Sequence, residues 1–473
     1  MRVLFLNPNY RTMKTSHLWS LRLGFSGKQA PLIEKGLDAF LKNSFGSKID
    51  KTVPDLLQNS PGTLDELKKN RERLKNADQT LKKEFLTQEV KVNLELKAWW
   101  LKKMRDEEFP LREKMTCFWH NHYVSTFQKV KVNHWIYQHN QLLRENAFGN
   151  FRELTKQVLK TNAMVKYLDN NENKKGKYNE NLSRELLELF TLGVGNYSEE
   201  DIKNGAKALA GLGIGDETAV YRPRQKEDST ITYLGQTGNF DSDEIVNIIF
   251  NQKNIPYLIT RKILKWFLYD NPKEELVVYY GNYLRENDFE IEPLLTKIFL
   301  EEAKKDTSGS KIKDPLVYIF QLFDELNIEE GNMKMTAFFL KEQGMDLFNQ
   351  PNVKGWDGGN NWLTSQIFLQ RNNASDLLTS GRILNKKGLK NEGENRQSSL
   401  QKIKIKLNWN TFGNNKDIIA DLKERLLFAT DENLQKDFEN ILKYDFNPKD
   451  PGAENAVLRL FNFITKTPEY QLI

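Results

Sequence analysis

The sequence predicts a mainly α fold: a large multi-helix domain over residues 1–473 with one small β-hairpin excursion. Three observations carry that prediction. Apolar residues recur at a three-to-four spacing along most of the chain, strand-like alternation is scarce, and no unit repeats at a fixed period.

Taken in order, the first long helical stretch is the Lys/Glu/Leu-rich run 62–104, in which Leu86, Val90, Leu94, Ala98 and Leu101 keep the helical spacing. The same periodicity predicts helices through 109–123, 133–145, 150–168, 181–192, 199–210, 243–270, 292–303, 314–325, 416–428 and 454–466. Asn179 or Asn181 can cap the 181–192 helix, Gly193 suits its end, and Ser198 with Asp201 forms a capping box for the next helix. The best strand signal is Val220–Tyr233, read as a hairpin turning at Lys226–Ser229 within about 219–236. Residues 211–216 read as a Gly-containing loop, and 386–399 (KKGLKNEGENRQSS) as a polar surface insertion. The densest run of chemistry-bearing residues spans about 109–215.

Composition excludes several classes. Hydrophobic residues make up 39% of the 473, with 28 Phe, 16 Tyr and 9 Trp, so a real core can form and wholesale disorder is ruled out. A net charge of +6 is too dilute for a nucleic-acid binder of this size. The two basic stretches, 1–50 and 381–406, read as solvated loops or helix faces. A single cysteine, Cys117, rules out an internal disulfide framework and any Cys-rich zinc site. No segment is apolar for long enough to span a membrane, and Val3–Leu6 is too short for a signal-peptide core, so the chain as written is expected in the cytoplasm; a different start codon would allow export.

The candidate site is built around the 181–192 helix. At about 100° per residue, with Leu182 at zero, Leu186, Leu189, Phe190 and Leu192 define an apolar arc. Glu185 falls inside that arc, Glu188 on its margin and Arg184 outside it. A carboxylate inside an apolar arc must be paired, hydrogen-bonded or protonated, and burial is also how a carboxyl becomes a general acid. The structural alternative is an ion pair with a core arginine. In FWHNH, His122 continues the helical face of Leu111, Met115, Phe118 and Trp119, whereas His120 points away, so on a helix the two cannot share a metal, and a shared site would require the helix to end before Trp119; His122 is read as a satisfied core histidine or a catalytic one. Asp169, Asn170, Asn171, Asn173, Asn179 and Asn181 crowd the loop before Glu185 and read first as turn formers. In GWDGGNNW, Trp356 and Trp362 beside Asp357, Asn360 and Asn361 suit either sugar stacking or loop packing. Walker A, GxGxxG, HExxH, GxSxG and EF-hand patterns are missing from the chain.

The blocks FWHNHYVS, YLDNNENKKGKYNENLSRELLELFTLGVGNYSEEDIKNGAKALAG, LGQTGNFDSDEIVNII, LFNQPNVKGWDGGNNW and TPEYQL resemble the large bacterial family known as domain of unknown function 1800, from about residues 17–26 to the C-terminus. The resemblance implies a mostly helical bacterial protein without an agreed activity. Members are often encoded beside a second family that looks like the alkaline phosphatase and sulfatase group, which suggests a partner and polymer or envelope chemistry by association. The family's hairpin reads as a His-Asp pair with a Lys four residues beyond. Here Lys226, Glu227 and Ile231 stand at those places, which implies a lost or altered activity if that pair is functional.

The leading expectation is a hydrolase or lyase acting on a carbohydrate or similar polar polymer by carboxylate acid–base chemistry, without a cofactor or metal. Glu185 is the acid, Glu180 or Asp169 its partner with Glu188 nearby, Arg184 and His122 orient them, and Trp119, Asn179, Asn181, Trp356, Asp357 and Trp362 bind substrate. The alternatives are a non-enzymatic binding or assembly protein, in which the charged helix is a structural network, and a metal-dependent hydrolase using His122 with Asp169 or Glu185.

Overall fold

The computed structural model of the chain describes residues 12–328, 333–384 and 400–473, and helices carry the architecture within them. The expected insertion at 386–399 lies outside the described residues. The described residues begin with α1 (Thr15–Leu23), α2 (Ala30–Lys35) and α3 (Leu37–Phe45). The predicted run 62–104 is two helices, α4 (Leu64–Lys75) and α5 (Gln79–Asp106), because the Asp78 side chain accepts from Leu81 N–H and starts a new helix. Next come α6 (Leu111–His122), α7 (Phe127–Val130) and α8 (Asn133–Glu145). The 150–168 stretch divides into α9 (Phe151–Leu159) and α10 (Asn162–Tyr167), with Thr161 capping the second.

After α11 (Asn181–Glu185) and α12 (Glu199–Ala208), the 243–270 stretch divides into α13 (Ser242–Phe250) and α14 (Ile255–Phe267). Pro256 sits in the first turn of α14, where its missing N–H costs no helix bond. The remainder is α15 (Glu274–Glu286), α16 (Ile291–Glu302), α17 (Pro315–Glu325), α18 (Met333–Glu342), α19 (Ser365–Thr379), α20 (Asn415–Leu426), α21 (Glu432–Ile441) and α22 (Ala453–Thr465). Among the described residues no helix is long and apolar enough to cross a membrane.

The β content differs in pairing from the sequence expectation. Val220–Tyr233 is not one hairpin. Its first strand, β2 (Val220–Tyr221), pairs back with β1 (Leu212–Gly213), and its second, β3 (Ile231–Tyr233), pairs forward with β4 (Gln236–Gly238). The cause is the loop between them. Glu227 accepts from the backbone N–H of both Asp228 and Ser229 and from the Tyr178 hydroxyl, so the expected turn docks on the 173–179 loop. A third two-stranded ladder joins β5 (Arg382–Leu384) to β6 (Leu400–Lys402).

One hydrophobic cluster runs from Trp19 to Tyr470, and α6 lies deep within it. Every residue of α6 except Asn121 is buried, including Arg112, Glu113, Lys114, His120 and His122. Such a helix holds only if its polar groups are satisfied inside. Arg112 donates to the carbonyls of Phe45 and Ser47, and Lys114 pairs with Asp314 at 2.8 Å. Glu113 takes both nitrogens of the Arg144 fork at 2.6 and 2.9 Å and the Trp100 indole N–H at 2.7 Å. The remaining Arg144 bonds go to Asn140 and Gln141.

Arg144→Met leaves Glu113 buried with one donor, so the variant should lose about 3 to 5 kcal/mol of stability. In urea unfolding, adding Glu113→Leu to it should recover part of that loss; a single-variant loss below about 1 kcal/mol would contradict the assignment.

Candidate functional site

The site forms where α6 ends. Loop 348–356 lies across that end: Gln350 donates to the His120 carbonyl at 3.2 Å, and the Asn121 side chain accepts from Trp356 N–H at 2.6 Å. Gly355, at φ +83°, makes this approach feasible, since a Cβ there would stand 2.3 Å from Asn121 Oδ1 and 2.5 Å from its carbonyl oxygen.

Against the same end of α6 packs the helix that bears Glu185. It is α-helical only to Glu185 and continues as a π-helix over Leu186–Thr191, with Leu192 N–H reaching back five residues to the Leu187 carbonyl at 2.9 Å. The wide turn presents the Leu189 and Phe190 carbonyls to side-chain donors. Lys262 of α14 donates to Leu189 O at 2.9 Å, and His122 Nε2 donates to Phe190 O at 3.1 Å. Lys262 also contacts His122 Nδ1 at 3.1 Å. An ammonium only donates, so Nδ1 accepts and the proton of the neutral ring sits on Nε2. Burial, reinforced by Lys262, holds His122 well below its ordinary pKa, and burial also lowers Lys262 to about 8. Both ring nitrogens of His122 are therefore engaged in holding the π-turn, and Phe118, Trp119, Tyr123, Phe151 and Phe190 pack around the ring.

The carboxylates sort into paired and unpaired. Glu180 pairs with Arg184 at 3.0 Å, and Arg184 also grips Glu199 through two bonds of 3.0 Å. Asp169, in the left-handed region at φ +57°, pairs with Lys129 at 2.8 Å. Glu188 accepts from the Tyr197 hydroxyl at 3.1 Å. Glu185 has no ion pair and no side-chain hydrogen bond among the described residues, and it is half-buried. Its pKa is raised by burial first and by the Glu188 charge second, against the opposing charges of Arg184 and Lys354. Tyr167, pushed up to about 12 by burial and by Glu185, lines the same place, with Lys129 Nζ 5.5 Å from its ring centre.

Several expected ligand-binding residues are elsewhere. Trp119 is fully buried, its indole N–H on the Ala147 carbonyl. Trp356 and Trp362 are 6% and 4% exposed, so neither ring offers a face to a sugar; both are core. Asp357 is exposed and accepts from Asn361 at 3.2 Å. Asn179 accepts from the N–H of Asn181, an exposed residue, and so starts the helix. Asn170 and Asn173 pin the loop to the Leu209, Leu212 and Ala206 carbonyls. Among the described residues no three His, Cys, Asp or Glu side chains gather as metal ligands.

Sequence reasoning missed Lys262, Lys354, Tyr167 and Tyr197. Lys262 left a signal, since it lies on the helix face shared by Ile259, Ile263 and Trp266. The others reach the site only through tertiary packing.

These features define a mainly helical protein, with the carboxylate-bearing candidate site between a buried helix, a π-turn and a Gly-bearing loop. The family model described as protein of unknown function (DUF1800) matches residues 19–472, and the chain belongs to that family. No curated protein and no solved structure matches it.

Replacing Lys262 with Met removes the donor shared by Leu189 O and His122 Nδ1. Guanidinium unfolding at pH 7 should show a loss of about 1 to 3 kcal/mol; unchanged stability would show that the π-turn does not depend on it.

Proposed function

We propose that the chain is an acid–base enzyme, a hydrolase or lyase acting on a carbohydrate or similar hydroxyl-rich polymer, with Glu185 as its proton-transferring group. One observation carries the reading: Glu185 is a half-buried carboxyl without an ion-pair partner among the described residues, while Glu180 and Asp169 each have one. A carboxyl whose surroundings favour the neutral form is suited to donate a proton to a leaving oxygen near neutral pH. Glu188 replaces Glu180 and Asp169 as the second carboxylate, because its charge reaches Glu185 and it carries no cation. Lys354 and Tyr167 border the reacting position, and Arg184 acts on it only through its charge.

A second reading, a binding or assembly protein, draws on the Glu180–Arg184–Glu199 clamp, a structural network that ties the start of α12 to the helix bearing Glu185. Stability separates the two. The folded-state pKa of Glu185 is raised, so its ionisation works against folding. The stability it contributes is present below the ordinary carboxyl pKa and is lost as pH rises through the raised value. Glu185→Gln imitates the neutral form. It should match or exceed the wild type in thermal unfolding at pH 7, and any advantage should vanish below pH ~4, where both side chains are uncharged. In a polysaccharide screen that scores reducing ends and unsaturated products, the same variant should lose about 100-fold or more of any activity found. A variant that unfolds well below the wild type at pH 7 would instead support the structural network.

A further inference from the structure

Away from Glu185, the segment before α17 carries three buried charges in four residues: Lys311, Lys313 and Asp314, which are 4%, 0% and 3% exposed. The carboxylates around it are already committed. Asp314 pairs with Lys114 at 2.8 Å, Asp270 faces Lys311 at 3.7 Å, and Glu325 pairs with Arg425. Two fully buried cations, Lys313 and Arg371 of α19, have no acidic partner among the described residues. Lys313 Nζ donates to Gln321 Oε1 at 2.7 Å and lies 3.7 Å from the centre of the Tyr470 ring. Arg371 donates to the Gln471 side chain at 3.0 Å and to the Lys313 carbonyl at 2.9 Å, and its guanidinium lies 4.8 Å from the Tyr318 ring centre.

An arginine cannot shed its proton, and an uncompensated charge in the interior is costly. Among the buried polar atoms left without partners, Arg371 Nε, Gln321 Nε2 and Tyr470 Oη are N–H or O–H groups on residues that touch Lys313 or belong to the pair itself. A set of unspent donors beside two cations has nothing to offer a metal ion and matches a small anion.

We propose that Lys313 and Arg371, with Gln321 and Tyr470, form an internal binding site for a small monovalent inorganic anion of the chloride class, closed by the C-terminal segment. The site gives the TPEYQL motif a role that the Glu185 centre does not: Tyr470 supplies a ring and a hydroxyl to the site, and Gln471 fixes the arginine. The anion neutralises the second cation and ties α17, α19 and the chain end together, independently of any activity at Glu185.

The test is thermal unfolding of the full chain in sodium chloride against sodium gluconate at equal ionic strength. The unfolding midpoint should rise with chloride along a saturating curve that gluconate does not reproduce, and Lys313→Met should flatten that curve. Coincident curves in the two salts would overturn the site in favour of a neutral Lys313 amine with the Gln321 amide reversed. An equal chloride increment in Lys313→Met would overturn it as well. If that variant fails to fold, bromide-soaked wild-type crystals decide: an anomalous peak beside Lys313 and Arg371 supports the site, and none there refutes it.

Discussion

The geometry of the candidate site depends on one bracket: Lys262 and His122 holding the carbonyls of Leu189 and Phe190. A π-turn is unfavourable in isolation and is found where something else gains from it, often at functional sites. Here it widens the helix just after Glu185, and two donors from α14 and α6 take up the carbonyls it presents. The bracket explains why a histidine and a lysine sit in an aromatic interior without any carboxylate between them. It also leaves both ring nitrogens of His122 engaged. Its lone pair faces Lys262 and its proton faces the backbone.

The same logic of satisfaction separates the acidic residues. In the site's own neighbourhood Asp169 pairs with Lys129 and Glu180 with Arg184. Glu227, at the place where the family resemblance implies the Asp of a His-Asp pair, is held down to about 2, chiefly by the Tyr178 hydroxyl, and is closed into its own loop. Glu185 differs from Asp169 and Glu180 because the charge that adds to its burial is another carboxylate, a pattern it shares with Glu107 and Glu469 elsewhere in the fold.

Much of this was legible in the sequence, and the failures have physical causes. The three-to-four spacing located the helices whose burial is one-sided, such as α8, α9 and α22. It passed over α1, which buries Leu18 through Leu23 without a polar face, and α21, which buries Phe438 alone. The helical wheel set Glu185 within the apolar arc, and His122 on the face of Leu111 and Met115, because both inferences need only local geometry. The tryptophans of the 356–362 loop misled for the opposite reason. An indole in a Gly-rich loop is exposed or buried according to where the loop docks, and the Trp356 backbone is fastened to Asn121, 235 residues away in sequence. Val220–Tyr233 failed as a hairpin on the same ground, since each strand found a better partner outside the segment.

The central claim is that Glu185 is a carboxyl biased toward its neutral form by burial and by Glu188. The most direct measurement is a pH titration by carbon-13 NMR of side-chain carboxyls in protein labelled at glutamate, with the Glu185 signal assigned by its loss in Glu185→Gln. Glu185 should titrate above the ordinary glutamate value of about 4.3, and the midpoint should fall toward that value in Glu188→Gln. A midpoint at or below the ordinary value, unmoved by Glu188→Gln, would mean that Glu185 has a cationic partner and belongs to the structural network.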